Sequence, residues 1–187
     1  MATNYIIITA LEGELNAQQL PLDIPMVYSG VGKINAALAT FQAIQKYQPQ
    51  TIINFGTVGK INSTLSGLIG IQSVIQRDMM TEPLAPRGQT PFCSKPHRYF
   101  SKEGQYICGS GDSFVTAQDS WLINEKVDVV DMELFAIAAI AHEHQIPWLS
   151  WKYITDDANS ESGQDWQKKI NHGEELFLEE LAKLLNE

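Results

Sequence analysis

The sequence predicts an α/β fold, with a largely parallel central sheet covered by helices on both faces. Three observations lead there. Short runs rich in β-branched residues recur along the chain. Longer segments with apolar residues every three or four positions fall between them. Strand after strand closes on Gly, Ser, Thr, Asp or Glu. The 187 residues, 44% of them hydrophobic, suffice for one domain with a sizeable core. Neither a repeat nor a linker divides them, so residues 1–187 read as a single domain.

The elements follow in order. "NYIIITA" is a short β-branched run ending in small residues, a buried strand. Glu12 and Glu14 come next, and from the residues alone either reads as a first-turn helix acid favoured by the helix dipole. "VYSGVG" is a second strand running into glycines. "KINAALATFQAIQKYQ" reads as a helix, since Ile34, Ala37, Leu38, Phe41 and Ile44 fall at spacings of three and four and Pro49 follows its end. "TIINFG" is another buried strand, stopping at Gly56. "LIGIQSVIQRDM" is one strand or two, and the four prolines of "TEPLAPRGQTPFCSKPH" make it a loop. "QYICGSG" is a strand ending in glycines and "KVDVV" one ending in acids. "MELFAIAAIAHEHQ" is an apolar helix closed by Pro147, and "WLSWKYITD" is the last strand. The C-terminal "GQDWQKKINHGEELFLEELAKLLNE" is helical with a break near Gly173. Ligands of α/β sheets sit beyond the carboxyl ends of the strands, so Glu14, Gly30, Gly56, Gly111, Glu133 and Asp156 are expected on one rim.

Composition excludes several function classes. Thirteen Lys and Arg against 22 Asp and Glu give a net charge of -9, which argues against nucleic-acid binding. No apolar run is long enough to cross a bilayer, and the N-terminus lacks a basic region before its apolar segment, so neither a membrane partner nor a secretory leader is expected. Cys93 and Cys108 have no CxxC spacing, which suggests neither a disulfide framework nor a zinc site and fits a reducing cytoplasm. Gly30-Val31-Gly32-Lys33 has one residue between its glycines where a Walker loop needs four, and Asn35 stands where a dinucleotide fingerprint needs a small residue. The turn reads as a tight strand-to-helix connection. His142 and His144 point roughly 200° apart on a helix and cannot share a metal ion without distortion. Trp148, Trp151 and Trp166 read as core or rim aromatics, and no G-x-S-x-G elbow is present.

Taken together, "ALEGEL", "SGVGKINAAL", "INFGTVGK", "RDM", "SGDSFV", "VVDMELFAIA" and "ITDDAN" stand in the order found in the nucleoside phosphorylase superfamily. Over nearly its whole length the sequence resembles the methylthioadenosine/adenosylhomocysteine nucleosidases within it. The resemblance implies a three-layer sandwich around a twisted, mostly parallel (mixed) sheet. It also implies hydrolysis of the N-glycosidic bond of a purine nucleoside, with a 5′-modified adenosine as substrate and adenine as product. A phosphate-dependent phosphorylase and a catalytically weak nucleoside-binding protein are the alternatives.

By the same resemblance Asp156 is the acid at purine N7, with Asp157 its rival by adjacency but turned away by strand alternation. Its place behind an apolar strand is one where burial can raise a carboxyl pKa. Glu14 activates the water, and the Thr57 hydroxyl helps place it. Glu133 holds the ribose hydroxyls, with Met132 packing on the sugar. Phe114 stacks on the purine, the Val115 backbone meets the base edge, and Trp166 closes over the 5′ substituent. Asp131 receives no role. Neither metal nor cofactor is implied. The expected partners are a small purine nucleoside and a second copy of the chain, with "TEPLAPRGQTPF" as the loop that closes the neighbour's pocket. The chain departs from the family in lacking the β-hairpin usual before the glycine turn, and in a trimmed stretch between Val115 and Val127. It also has Lys152 in place of an Arg and Lys60 in place of a Gly.

Overall fold

The computed structural model describes residues 4–160 and 162–186. Among them the strands are β1 (Tyr5–Thr9), β2 (Met26–Tyr28), β3 (Thr51–Lys60), β4 (Leu68–Gln76), β5 (Arg98–Phe100), β6 (Tyr106–Ser110), β7 (Val129–Asp131) and β8 (Trp148–Asp156). The helices are α1 (Lys33–Tyr47), α2 (Ser120–Asn124), α3 (Leu134–Glu143), α4 (Ser162–Lys169) and α5 (Glu174–Leu185). No helix among the described residues is long and apolar enough to cross a membrane.

The apolar runs exist because the central strands are covered on both sides. In β1, Ile6 and Ile8 enter the core beneath α1 and α3, while Ile7 enters the opposite core with Leu15, Phe177 and Leu181. A strand buried on both faces has no polar alternation to show. The first core is filled by the small and branched side chains of α3, with Leu134, Ala136, Ile137, Ala138 and Ala141 all buried. The second is closed by α5, where the Phe177 ring stacks on Phe55 at 4.5 Å between centroids. Helices thus flank a mixed sheet on both faces, giving the layered α/β architecture expected.

The pairing pattern adds a feature that no local pattern announces. Strand β3 pairs in parallel with β1 and β8, then through Gly59 and Lys60 it pairs antiparallel with β7. Strand β7 pairs with β6, β6 with β4, and β4 with β8, so β3, β8, β4, β6 and β7 close into a ring. The register slips between Val58 and Gly59, where β3 changes partners. A bulge at a change of partner opens a crevice at the strand ends, and the cleft lies there.

Two expectations need correction, and two further features were not read from the sequence. Strand β3 does not stop at Gly56 but runs through it to Lys60. No α-helix follows β1: Glu14 sits in a turn, and a single 3-10 turn at Ala17–Gln19 is capped by Asn16. Most of the apolar stripe of α1 faces away from the core, Ile44 excepted. Small residues let α1 lie close, so Ala36, Thr40, Ala43 and Ile44 are buried, while Ile34, Leu38 and Phe41 remain 75%, 57% and 46% exposed. Strand β5 escapes notice because three residues carry too little periodicity to register, while the five-residue α2 is the shortened helix of the trimmed stretch between Val115 and Val127.

Candidate active site

The cleft encloses about 550 Å³ including its open mouth, a size that suits a nucleoside. All eight site residues expected from the sequence line it: Glu14, Thr57, Phe114, Val115, Met132, Glu133, Asp156 and Trp166. Of the wider rim, the three acids line the cleft, while Gly30, Gly56 and Gly111 lie outside its wall.

Glu14 is buried at the end of the turn after β1 and is fixed by four donors. Its Oε1 accepts from the Thr57 N–H at 2.9 Å and the Thr57 hydroxyl at 2.8 Å. Its Oε2 accepts from the Leu11 N–H at 3.1 Å and the Thr9 hydroxyl at 3.3 Å. A carboxylate, acceptor at both oxygens, satisfies all four. The Trp166 indole N–H donates to the Thr57 hydroxyl oxygen at 2.8 Å, so α4 is tied to the same group.

Asp156 closes β8 and is buried, whereas Asp157 turns to solvent and pairs with Lys60 at 2.9 Å. Asp156 Oδ1 accepts from the Ala158 N–H at 2.9 Å, and Oδ2 lies 3.0 Å from the Thr155 hydroxyl. That hydroxyl also lies 3.3 Å from the Val58 carbonyl, and its single proton can serve one acceptor at a time. When the carbonyl takes it, the Thr155 oxygen can accept from a protonated Asp156. Glycine at position 59 is required for this approach, because a Cβ there would lie 2.6 Å from Asp156 Oδ1.

Glu133 is the N-cap residue of α3 but places no side-chain bond on that helix. Its Oε1 instead accepts from the Gly32 N–H at 2.9 Å, in the glycine turn before α1. The Asp112 carboxylate likewise accepts from the Lys33 N–H at 2.8 Å. Gly32 has φ +95°, which glycine adopts without strain. Two of the orphan N–H groups at the start of α1, those of Gly32 and Lys33, are therefore taken by carboxylates of the chain itself. This is the structural reason that the turn resembles a phosphate loop without being one.

A protein-family model described as "Phosphorylase superfamily" matches residues 22–187. The chain belongs to the phosphorylase superfamily. It is 30% identical over 171 residues to the 5′-methylthioadenosine/S-adenosylhomocysteine nucleosidase of Buchnera aphidicola subsp. Acyrthosiphon pisum, covering 80% of this chain and 74% of that one. Its fold matches the Helicobacter pylori 5′-methylthioadenosine/S-adenosylhomocysteine nucleosidase crystallised with butyl-thio-DADMe-Immucillin-A, with TM-score 0.86, 19% identity and coverage of 98% and 99%. It also matches the futalosine hydrolase of Helicobacter pylori strain 26695, with TM-score 0.84, 19% identity and coverage of 92% and 93%.

Two buried charged features of this phosphorylase-superfamily site, an ion pair and an arginine, were given no role by the sequence. Asp131 and Lys152 form an ion pair at 2.8 Å beneath the cleft, both side chains almost wholly buried. Asp131 also accepts from the Ser110 hydroxyl at 2.5 Å and the α3 N–H of Leu134 at 3.0 Å. Burial, the largest single influence, would raise its carboxyl pKa, but the Lys152 charge together with the hydrogen bonds from Lys152, Ser110 and the Leu134 N–H holds it low. Burial, again the largest single influence, would lower the Lys152 pKa, and the Asp131 charge and hydrogen bond, with the other acidic groups nearby, together raise it instead. The second is Arg77, buried at the end of β4 and lining the cleft. Among the described residues no group of three or more His, Cys, Asp or Glu side chains is arranged to hold a metal ion.

Glu133 is the acid whose titration is most visible. Burial, and then the neighbouring Asp131 charge, push its pKa up to about 7 against the pull of Lys152 and the Gly32 N–H. A raised carboxyl pKa leaves the group neutral below that value and ionised above it. If the ionised form is the one that receives sugar hydroxyls, kcat/KM should rise with pH through about 7. Between pH 8 and pH 6 it should fall roughly tenfold. A pH profile of Glu133→Gln checks this: the limb near 7 should disappear, and a limb that persists would assign it elsewhere.

Proposed function

We propose that this chain hydrolyses the N-glycosidic bond of a purine nucleoside. A 5′-modified adenosine such as methylthioadenosine or adenosylhomocysteine is the preferred substrate class, and adenine is the product. The observation that carries the reading is the meeting of Glu14, Glu133 and Asp156 at one cleft whose walls include Val31, Phe114, Met132 and Trp166. Its relatives' named activity supports the same reading.

In this mechanism the purine lies against Phe114, and Asp156 gives a proton to N7 as the bond between the sugar C1′ and N9 breaks. Positive charge develops on the sugar ring, and Glu133 steadies it through the ribose hydroxyls. Glu14, with the Thr57 hydroxyl beside it, takes a proton from water as the water oxygen bonds to C1′. Trp166 and Met132 offer apolar surface to the sugar and its 5′ substituent.

Phosphate as the nucleophile fits less well. Lys33 is paired with Asp78 at 2.5 Å, Lys60 with Asp157 at 2.9 Å and Lys152 with Asp131 at 2.8 Å. Arg77 is bonded to the carbonyls of Gly109 and Gly111. An anion placed where water is needed would face the Glu14 carboxylate.

The second copy of the chain belongs to this proposal. The Ile34, Leu38 and Phe41 stripe continues from Val31 at the cleft, and Phe92 in the proline-rich loop is 96% exposed. Pairing two copies would cover such a surface. Light scattering at micromolar concentration should give twice the 20.9 kDa of one chain, and a single-chain mass would contradict the pairing.

The activity is tested by incubating the protein with methylthioadenosine, adenosylhomocysteine, 5′-deoxyadenosine, adenosine, inosine and futalosine. Free base is expected from at least one, most rapidly from a 5′-modified adenosine. No base from any of them at high protein concentration would overturn the reading.

A further inference from the structure

The wall that would hold the purine has little packing behind it. Ser113, Phe114 and Val115 line the cleft on one side and, with Arg77 and Arg87, an open groove on the other. Ser113 and Phe114 are exposed. Of the three only Val115 packs against a core cluster, that of Ile75, Leu122, Val127 and Val130, so the position of Ser113 and Phe114 rests largely on how the segment is held at its ends.

Both ends are held by arginines. At the first, the Arg77 guanidinium donates from Nε to the Gly109 carbonyl at 3.2 Å and from Nη2 to the Gly111 carbonyl at 2.8 Å. It also donates from Nη2 to the Ser113 carbonyl and from Nη1 to the Ser113 hydroxyl at 3.2 Å. None of these partners is a carboxylate. Burial accordingly lowers the Arg77 pKa, with Asp131 and Asp78 opposing from a distance. At the second, Arg87 holds Asp119 through two bonds at 3.0 and 2.7 Å and lies 4.4 Å over the Trp121 ring. Its Nε donates to the Arg77 carbonyl at 2.7 Å, so the two anchors are joined.

We propose that Arg77, braced by Arg87, is a positioning residue that sets the purine-holding wall at Phe114 and Val115. It acts through the main chain of residues 109–113 and touches no reacting atom. A planar five-donor fork suits this task, because a lysine ammonium cannot reach three carbonyls spread over five residues in one plane. The role in catalysis rests on the purine nucleoside reading above, while the anchoring of the wall does not.

The test is Arg77→Lys in the full chain, read by amide hydrogen exchange and by steady-state kinetics. Exchange at residues 111–116 should quicken by about tenfold or more with the rest of the chain unchanged, because several net-favourable bonds are lost. KM for the nucleoside should rise about tenfold while kcat changes less than about threefold, the split expected of a misplaced binding wall. Native exchange at 111–116, or a fall in kcat with KM unchanged, would overturn the proposal. Should Arg77→Lys fail to fold, Arg87→Lys and Ser113→Ala carry the same test, each with a smaller effect in the same direction. If the native protein releases no base from any purine nucleoside, the functional reading fails, and the exchange measurement still decides whether Arg77 anchors the wall.

Discussion

Asp156→Asn is expected to lower kcat for base release by roughly 100- to 10,000-fold, the contribution typical of a positioned general acid. The fold should survive. The asparagine carbonyl can accept from the Ala158 N–H as Asp156 does now at 2.9 Å. Its amide can donate to the Thr155 oxygen, whose own proton then goes to the Val58 carbonyl. What it cannot do is deliver a proton to the leaving base. Asp157→Asn removes a solvent-facing partner of Lys60 and should be close to silent for kcat, since surface ion pairs contribute little. Steady-state rates of the two variants, with thermal unfolding alongside, check the assignment. A large loss in Asp157→Asn and a small one in Asp156→Asn would reverse it.

Glu14→Gln is expected to cost roughly 100- to 10,000-fold in kcat through loss of the group that accepts the water proton. Unlike the first substitution it should also destabilise the fold. The two Glu14 oxygens face two backbone N–H groups, those of Thr57 and Leu11, in addition to two hydroxyls. Hydroxyls can rotate away from a new donor, but backbone N–H groups cannot. Whichever way the glutamine amide is turned, its NH₂ meets one of them and leaves it unpaired, a cost of about 1–3 kcal/mol. Calorimetric unfolding and rates measured well below the transition separate the two effects. A Glu14→Gln variant with native kcat would remove Glu14 from the chemistry.

The difference between these two acids shows what was legible in the sequence. Asp156 was assigned by resemblance, and the alternation of a strand added that its neighbour Asp157 points the other way. The glycine turn and the start of α3 were legible for local reasons. Glu14 was singled out by resemblance alone, since the turn that carries it has neither helical nor strand periodicity. Contacts between distant segments were not legible at all. Arg77 meets its partners 32 to 36 residues away, and Lys152 meets Asp131 across 21. No spacing rule reports such pairs, although a lone Arg or Lys inside an apolar strand context is a signal that a partner must exist.

The α1 stripe marks a helix without telling which face packs. Helical periodicity identified the helix correctly, but the side with the larger residues was not the side that packs. Close approach to α3 selected Ala36, Thr40 and Ala43 instead, and left Ile34, Leu38 and Phe41 outward. Strand β3 passes through Gly56 because that glycine leaves room beneath it: a Cβ there would lie 3.2 Å from Lys152 Nζ and 3.6 Å from Glu14 Oε1. A glycine read as the end of a strand was a site for close packing.

The central claim is that Glu14 directs water, not phosphate, to the sugar carbon while Asp156 releases the base. Its most direct test is mass spectrometry of the sugar product at short reaction times, in ¹⁸O-labelled water containing millimolar inorganic phosphate. The account predicts a free sugar carrying ¹⁸O at C1 and base release at the same rate when phosphate is omitted. A sugar 1-phosphate, or base release that stops without phosphate, would contradict it.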